Sequence, residues 1–535
     1  MVENGFHLVP RSSRSSRSSS KKIIAYALIG ILAVAAVSIS VFARPPPSAN
    51  NENAALQRFR EVWCGQDPRP NSNAYVTELV LPADCEMPLG IAVDEGHVWY
   101  VSAKRGLLGS YSPAENKFNE YKIPEWPSRE QPFTKISSLQ MSWTVKVDKG
   151  GNVWFTDENN AIWRFNKASE SFDMFKVPAS YPSAMDFDTN GNIYFIGISS
   201  KSLYFGDVSK MKNQTPEGIT EIPLPLNGFS GIDSQVVSSG ALVVDNERKE
   251  VWVSLLAFQQ KGQIFRYDID TGKVDRTVDL PADLSSPVGA ALDNSGNLWV
   301  ADHGTSIFFK YDPVKENITK FVTSVASPKI YGGKTPPNAY TLPYWITTGQ
   351  DGSIWFNEHF GNKIARIDTE KLTLTEYWIP SQNKNWASCP AESATCGIAN
   401  ALQFTIGPNN LAWFSEQTEN KIGKLDTAKQ VPITVSTPDE ITVAKGDSAE
   451  IRVTINARGD FSGQMMAAGT FMPNGMLGNS TGIFSEQSVS MSGGSKQVSY
   501  TFTPAESLAA GQYVIMVGAG NSDVSVLKAV KVNIT

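Results

Sequence analysis

Seven side chains in this sequence have types and spacing that could do chemistry. Asp157 and Glu158, Asp302 and His303, Glu358 and His359, and Glu416 each follow shortly after a recurring aromatic residue. A ring of carboxylates built from Asp157, Asp302, Glu358 and Glu416 would suit a hard cation such as Mg2+ or Ca2+, which takes oxygen ligands. His303 and His359 could supply a base near neutral pH. Adjacent residues on an extended strand point to opposite faces, so Asp302–His303 and Glu358–His359 cannot work as pairs without a bend. The same residues also read as solvated loop charges or turn caps. Tryptophans at the repeat position read as core, because a large ring gains most when buried. Trp126, Trp143, Trp345, Trp378 and Trp386 lie off that position and are the better candidates for ligand contact, Trp143 and Trp345 first. No phosphate loop, nucleophile elbow, zinc spacing or nucleotide fingerprint occurs.

These residues need a frame, and a repeat supplies it. From about Ala74 to Asp426 one phrase recurs: a turn with Asp, Asn or Gly, an aliphatic residue, then Trp or Tyr. Asp148-Lys149-Gly150-Gly151-Asn152-Val153-Trp154 and Asp293-Asn294-Ser295-Gly296-Asn297-Leu298-Trp299 are two of seven copies. The aromatics Trp99, Trp154, Tyr194, Trp252, Trp299, Trp355 and Trp413 stand 40 to 58 residues apart. An apolar strand enters, a glycine turn reverses it, and a second strand carries the aromatic. A third strand such as Ile364-Ala365-Arg366-Ile367 and a fourth ending in Pro complete a four-stranded meander. Such units cannot bury both faces alone, so the spacing predicts a seven-bladed β-propeller over residues 74–430. The seventh copy lacks a fourth strand. Val76 to Pro82 reads like Leu374 to Pro380 and has no blade of its own. It is therefore expected to close blade seven, with a Cys64–Cys85 bridge spanning it.

The flanks differ. From Pro432 tryptophan disappears and short alternating strands follow, which predicts an immunoglobulin-like β-sandwich over 432–535. Residues 1–22 are Ser/Arg-rich and read as a disordered cytoplasmic tail. Ile23–Ala43 is 21 residues without a charge, long enough for a transmembrane helix. Basic residues precede it, so the chain beyond Arg44 is expected outside, as a single-pass membrane protein. A cleaved signal peptide is the competing reading. Residues 44–73 read as a linker. Four cysteines, Cys64, Cys85, Cys389 and Cys396, fit two local bridges outside the cell, although three pairings exist. Sequons stand at Asn213, Asn317, Asn479 and Asn533. The chain holds 47 basic and 53 acidic residues for a net charge of −6, which disfavours nucleic acid as a partner.

The repeat resembles the streptogramin B lyase family. Pro88-Leu89-Gly90-Ile91-Ala92, Trp154-Phe155-Thr156-Asp157, Trp355-Phe356-Asn357-Glu358, Gly361-Asn362-Lys363-Ile364 and Trp413-Phe414-Ser415-Glu416 carry the resemblance. It implies a seven-bladed propeller and an elimination that opens a cyclic depsipeptide, using magnesium and a His in a Pro-His-Gly/Ala phrase. The matching slots here read Pro88-Leu89-Gly90, Pro182-Ser183-Ala184, Pro287-Val288-Gly289 and Pro343-Tyr344-Trp345. None holds His, and Tyr344 is the one obvious proton carrier among them. Two functions follow as expectations. One is a surface module binding a small molecule, peptide or glycan on the axial face. The other is a divalent-metal-dependent lyase or hydrolase, opening a lactone, ester or similar bond.

Overall fold

A computed structural model describes residues 52–65, 67, 69–126, 141–324, 340–387, 389, 396–470 and 476–535. The expected tail (1–22) and membrane span (23–43) lie outside the described residues. Among the described residues no helix is long and apolar enough to cross a membrane.

The recurring phrase folds as a hairpin turn with a built-in clasp. Asp148 Oδ1 accepts the backbone N–H of Asn152 at 2.9 Å, and its Oδ2 accepts the indole N–H of Trp154 at 2.7 Å. Asp293 repeats this with Asn297 and Trp299. Asp94 accepts the Trp99 indole at 2.9 Å. Gly151, Gly191 and Gly296 sit at positive φ in these turns, where a side chain would be strained. One carboxylate thus sets the turn and satisfies a ring that could not otherwise be buried without loss. In the sixth copy Gly349 replaces the Asp, and the Trp355 indole N–H has no partner.

Among the described residues the repeats form seven four-stranded antiparallel units. Blade one runs Pro88–Val93, Val98–Ser102, Leu107–Ser112 and Lys117–Lys122. The inner strands of the next five blades begin at Val145, Pro182, Val237, Pro287 and Pro343. Blade seven takes Phe404–Ile406, Ala412–Glu416 and Lys421–Leu425 from the end of the repeat. Its outer strand is Val76–Val80, paired from Val76 with Leu425 to Val80 with Lys421. The inner strand of blade seven adjoins that of blade one, so the units close a ring as a β-propeller. Both expected disulfides are present, Cys64–Cys85 across the closing strand and Cys389–Cys396.

One expectation is corrected. Residues 44–73 are not a plain linker, because Glu52–Trp63 forms a helix, α1. Phe59 and Trp63, one turn apart, pack on Cys85, Met87, Trp386 and Ile398. The Trp386 indole donates to Val62 O at 2.6 Å, and the Asn383 amide donates to Glu61 O and Val62 O at the helix end. The C-terminal part forms two β-sheets. Its two sheets share one core that includes Ile451, Val453, Tyr500, Ile515 and Val530. One of them is continuous with blade six: Thr373–Trp378 pairs with Val524–Ile534, from Thr373 with Lys528 to Tyr377 with Val524. The result is a nine-stranded sheet. Met516 and Leu527 pack with Phe308, Phe321 and Phe356 of the propeller. An otherwise open blade edge is covered by this pairing.

The closing strand is also pinned by charge. Glu78 and Lys421 are fully buried and form an ion pair at 3.0 Å. Ser381 Oγ donates to Glu78 at 2.7 Å, and Ser381 N donates to its other oxygen at 2.8 Å. Glu78→Ala would leave a buried lysine without its carboxylate. Chemical denaturation is expected to register a loss of about 3–5 kcal/mol; a change below about 1 kcal/mol, the size of an exposed pair, would show that the closure does not need this contact.

Candidate axial site

The inner strands decide what faces the axis. In most blades the ladder slips at the start of the inner strand, between Pro88 and Ile91, Pro182 and Ala184, Pro287 and Gly289, and Pro343 and Ile346. Such bulges re-aim a side chain and free a backbone N–H. A polar residue two places after the aromatic anchor takes up that freed group. Asn357 Oδ1 accepts Trp345 N at 2.6 Å, Thr156 Oγ1 accepts Trp143 N at 3.0 Å, and Ser254 Oγ accepts Ala241 N at 2.7 Å. The same position stitches blades together. Asn357 Nδ2 donates to Ala401 O, Ser254 Oγ to Pro287 O and Ser415 Oγ to Leu89 O. The close approach explains the glycines of the slot phrases, since a Cβ on Gly289 would meet Tyr344 O at 2.3 Å.

The bulged residues converge at one end of the axis. Leu89 packs with Met141, Trp143, Ile198, Leu402 and Tyr344. Beside this plug lies a small chamber bounded by Trp143, Phe258, Tyr344, Trp345, His303 and Gln403. Ala184, Val288, Trp345 and Gln403 also line a wider axial cavity of ≈ 430 Å³. That cavity follows the inner strands towards the first hairpin turns. Lys146 and Asp186 stand in its wall as an ion pair at 2.7 Å, with Thr347, Thr348 and Thr405. The open space therefore lies nearer the turn end, whereas the sequence placed it at the ends of the second strands.

His303 and His359 come together with Tyr344. The imidazoles stack with centroids 5.5 Å apart, and the Tyr344 ring meets His303 edge-on at 4.9 Å. Both histidines are buried. Burial brings His303 down to about 4 and His359 down to about 3, the latter helped by its neighbour His303. They are neutral at physiological pH. His359 Nε2 is held by Asn400 Oδ1, and Asn400 Nδ2 donates to Gln417 at 2.8 Å. Tyr344 is half-buried with its open surface on the chamber, and burial raises its hydroxyl above the usual range. Of the off-repeat tryptophans, Trp126, Trp143 and Trp386 are buried, contrary to the expected exposure, because their indoles are tied to Ala103 O, Glu158 and Val62 O.

The carboxylates do not form the expected ring. Asp157 accepts the Trp163 indole at 2.9 Å and Asn159 N at 2.8 Å. Asp302 accepts Ser286 N, Gly304 N and Thr305 Oγ1, and burial pushes it up to about 7. Glu358 pairs with Lys363 at 3.0 Å, and Lys363 also meets Glu376 at 3.1 Å, all three fully buried. Burial, then the Glu376 charge, holds Glu358 well above the usual carboxylate range. Glu416 is raised in the same way by burial and by Glu78. Among the described residues no three acid, His or Cys side chains are grouped to hold a metal ion. Asp157, Asp302 and Glu358 are each bonded within their own blades, and Glu416 is buried with neither carboxylate oxygen hydrogen-bonded but is not grouped with two other acids or histidines, so the four do not form one Mg2+ or Ca2+ site.

What the sequence missed is a repeated cluster. Glu358, Lys363, Glu376 and Ser324 in blade six match Glu416, Lys421, Glu78 and Ser381 in blade seven. Ser324 N donates to Glu376 at 2.9 Å, and Lys363 Nζ donates to Ser324 Oγ at 2.8 Å. The shared Asn-Lys-Ile opening of the third strand and the Thr-Glu of the fourth were the available signal.

No protein-family model matches the chain, and no curated protein matches it. Solved structures with a similar shape include a streptogramin B lyase, 23% identical, covering 66% of this chain and 99% of that chain, with TM-score 0.48. Virginiamycin B lyase from Staphylococcus aureus is 22% identical over 66% of this chain and 98% of its own, with TM-score 0.47. An auxiliary nutrient binding protein from Bacteroides ovatus is 11% identical over 68% and 75%, with TM-score 0.36.

Stability should report these buried groups. His303 and His359 have folded pKa values below their usual 6.5, so their contribution is present above that pH and is lost as pH falls towards about 3. Asp302 and Glu158, raised to about 7, and Glu86 and Glu419, raised to about 8, act oppositely. Their contribution is present below the usual carboxylate range and is lost as pH rises through 7 to 8. The melting temperature is expected to peak in mildly acidic buffer. Asp302→Asn should flatten the alkaline limb; an unchanged limb would show that Asp302 ionises freely.

Proposed function

We propose that this chain is a membrane-anchored, extracytoplasmic binding module whose ligand occupies the axial cavity. The observation that carries this reading is the ≈ 430 Å³ cavity itself, which pairs apolar walls with a few fixed polar groups. Concave sites of that size and lining are the usual form of a small-molecule pocket. Its polar groups are Lys146, Asp186, Thr347, Thr348, Gln403 and Thr405. Asp186 is fixed further by Val244 N, which donates at 3.1 Å. The ligand class is a small molecule or the end of a peptide or glycan. The immunoglobulin-like character of the C-terminal sandwich and the outside location belong to the same proposal, together with the span at Ile23–Ala43.

A metal-dependent lyase or hydrolase is the less favoured reading. Among the described residues no three of the candidate ligands are grouped, and the slots where the resembling family carries its base read Leu89, Ser183, Val288 and Tyr344. His359 is neutral and buried; its Nε2–H donates to Asn400 Oδ1, which leaves Nδ1 as the acceptor nitrogen, without a hydrogen-bond partner.

The test uses the full-length chain in detergent on glycan and peptide arrays. Thr347→Trp, which fills the cavity, is expected to abolish the array signal while the melting temperature stays within a few degrees. Retention of the signal would place the ligand elsewhere. Magnesium-dependent opening of a streptogramin B depsipeptide that His359→Ala abolishes would establish the lyase reading instead. For the anchor, alkaline carbonate is expected to leave the protein in the membrane pellet; a released chain beginning near Arg44 would mean a cleaved leader.

A further inference from the structure

The floor and the wall of the axial cavity match the two kinds of surface that a sugar ring presents. We infer that the cavity receives one neutral pyranose, with the apolar face of the ring on Trp345 and its hydroxyls on Lys146, Asp186, Thr347 and Thr405. This rests on the proposed reading of the cavity as a ligand site and adds the ligand's chemistry.

Trp345 is the floor. It stands on the inner strand of blade six, yet it packs against the core of blades three and four, which includes Ala184 and Leu242, as well as against the core of blades six and seven. The indole therefore reaches across the axis. It lines both the cavity and the narrow chamber beside Tyr344 and His303, so it is the partition between them. It is half-buried, and its backbone is fixed because Trp345 N donates to Asn357 Oδ1 at 2.6 Å. A large apolar ring at the bottom of a polar cavity gains from a ligand that covers it with an apolar patch. The C–H groups on one side of a pyranose are such a patch.

The polar groups form a belt at one height. Lys146 pairs with Trp154, Asp186 with Tyr194, Thr347 with Trp355 and Thr405 with Trp413. Each thus stands opposite the repeat aromatic of its own blade, and the ring brings all four to the same level. Thr347 lies two residues from Trp345 towards the open turn end, about 7 Å along the strand. A ring seated on the indole at a contact distance of about 4 Å leaves its hydroxyls about 3 Å from the belt, which is hydrogen-bond distance.

The belt is polar but balanced. Among the described residues Lys146 and Asp186 are the charged groups of the wall, and they neutralise each other at 2.7 Å. An ionic ligand finds no uncompensated counter-charge there, whereas a hydroxyl both donates and accepts and can use the two ends of an ion pair together. Asp186 is held rigid: its Oδ1 accepts Lys146 Nζ and Phe187 N, and its Oδ2 accepts Val244 N. The two side chains keep 36% and 21% of their surface exposed. Across the ring Thr347 and Thr405 are half-buried, and among the described residues no protein group bonds to either hydroxyl. The ≈ 430 Å³ of open space holds on the order of fourteen waters at ~30 Å³ each, ample for one pyranose. The ≈ 30 Å³ beyond Trp345 is too small for a second. The ring therefore stops at the floor, as a free sugar or as the terminal residue of a glycan.

Calorimetry of the full-length chain in a polyoxyethylene detergent, which carries no sugar, tests this. The probes are the methyl pyranosides of glucose, galactose and mannose, each beside its uronate. At least one neutral pyranoside is expected to bind, and its uronate about tenfold more weakly, because the carboxylate is desolvated against a wall whose charges are already paired. Trp345→Leu should weaken the neutral pyranoside about tenfold or more, the usual effect of removing a central aromatic contact. Trp345→Phe, which keeps a ring, should retain most of the affinity. Asp186→Asn, which keeps the shape and unbalances the pair, should weaken it several-fold. Affinity unchanged in both Trp345→Leu and Asp186→Asn overturns the assignment, and so does a uronate that binds as tightly as its neutral parent. Binding of none of the three pyranosides, by a protein whose array signal is lost in Thr347→Trp, overturns the sugar and leaves the cavity reading standing. An array signal that survives Thr347→Trp overturns the cavity reading itself. A matching trisaccharide that binds several-fold more tightly than the methyl pyranoside identifies a glycan end as the source; equal affinity identifies a free sugar.

Discussion

The architecture depends on one long-range pairing. Lys421–Leu425 ends the last repeat with an unpaired edge, and Val76–Val80 arrives from the start of the chain to cover it. Hydrogen bonds alone give such a strand little preference over solvent. What fixes its identity is the buried contact of Glu78 with Lys421 and Ser381, in which both carboxylate oxygens are used. A closed ring has no open blade seam, so the inner strands hold their spacing and the axial cavity keeps its shape. The Cys64–Cys85 bridge and the docked helix α1 hold the same segment from outside the ring.

The cluster that closes blade seven recurs in blade six, and its charge balance accounts for the carboxylates. In blade six two buried glutamates pair with one lysine, and in blade seven Glu78 pairs with Lys421 while Glu416 is buried without an ion pair. Two negative charges beside one positive charge are costly at low dielectric, so one acid in each cluster is pushed towards its neutral form. Glu358 and Glu416 are the members pushed upward. Their residue type and position looked like metal ligands. Their surroundings make them proton carriers of a structural cluster, and the axial end they flank is filled by Leu89, Leu402 and aromatic rings.

Blade six has a second role. Its outer strand continues into the C-terminal domain through Val524–Ile534, and apolar side chains of both parts share one core. Ala74 N donates to Asp523, which brings the base of the closing strand to the same junction. The two parts therefore meet through backbone ladder, core and the closing strand together. The axial cavity sits in a body whose rim is bordered on one side by a nine-stranded sheet.

The sequence by itself determined the blade. Its turn aspartates, glycines and aromatics are local, and each copy repeats the same hairpin, so period and strand number can be read directly. The missing fourth strand was legible for the same reason, because Val76–Leu81 has the pattern of an outer strand without a blade. The strands of the C-terminal domain were legible from alternation, and their junction with blade six was not. Tertiary structure decided which charged groups meet. Glu78 lies 343 residues from Lys421, and nothing local to either residue names its partner. Bulges at the inner strands turned Leu89, Ser183, Val288 and Tyr344 towards the axis, and α1 became a helix against Trp386 where composition read as a linker. Spacing along the chain carries periodicity, but the protonation and availability of a side chain depend on what is packed against it, and that is settled only when the ring closes.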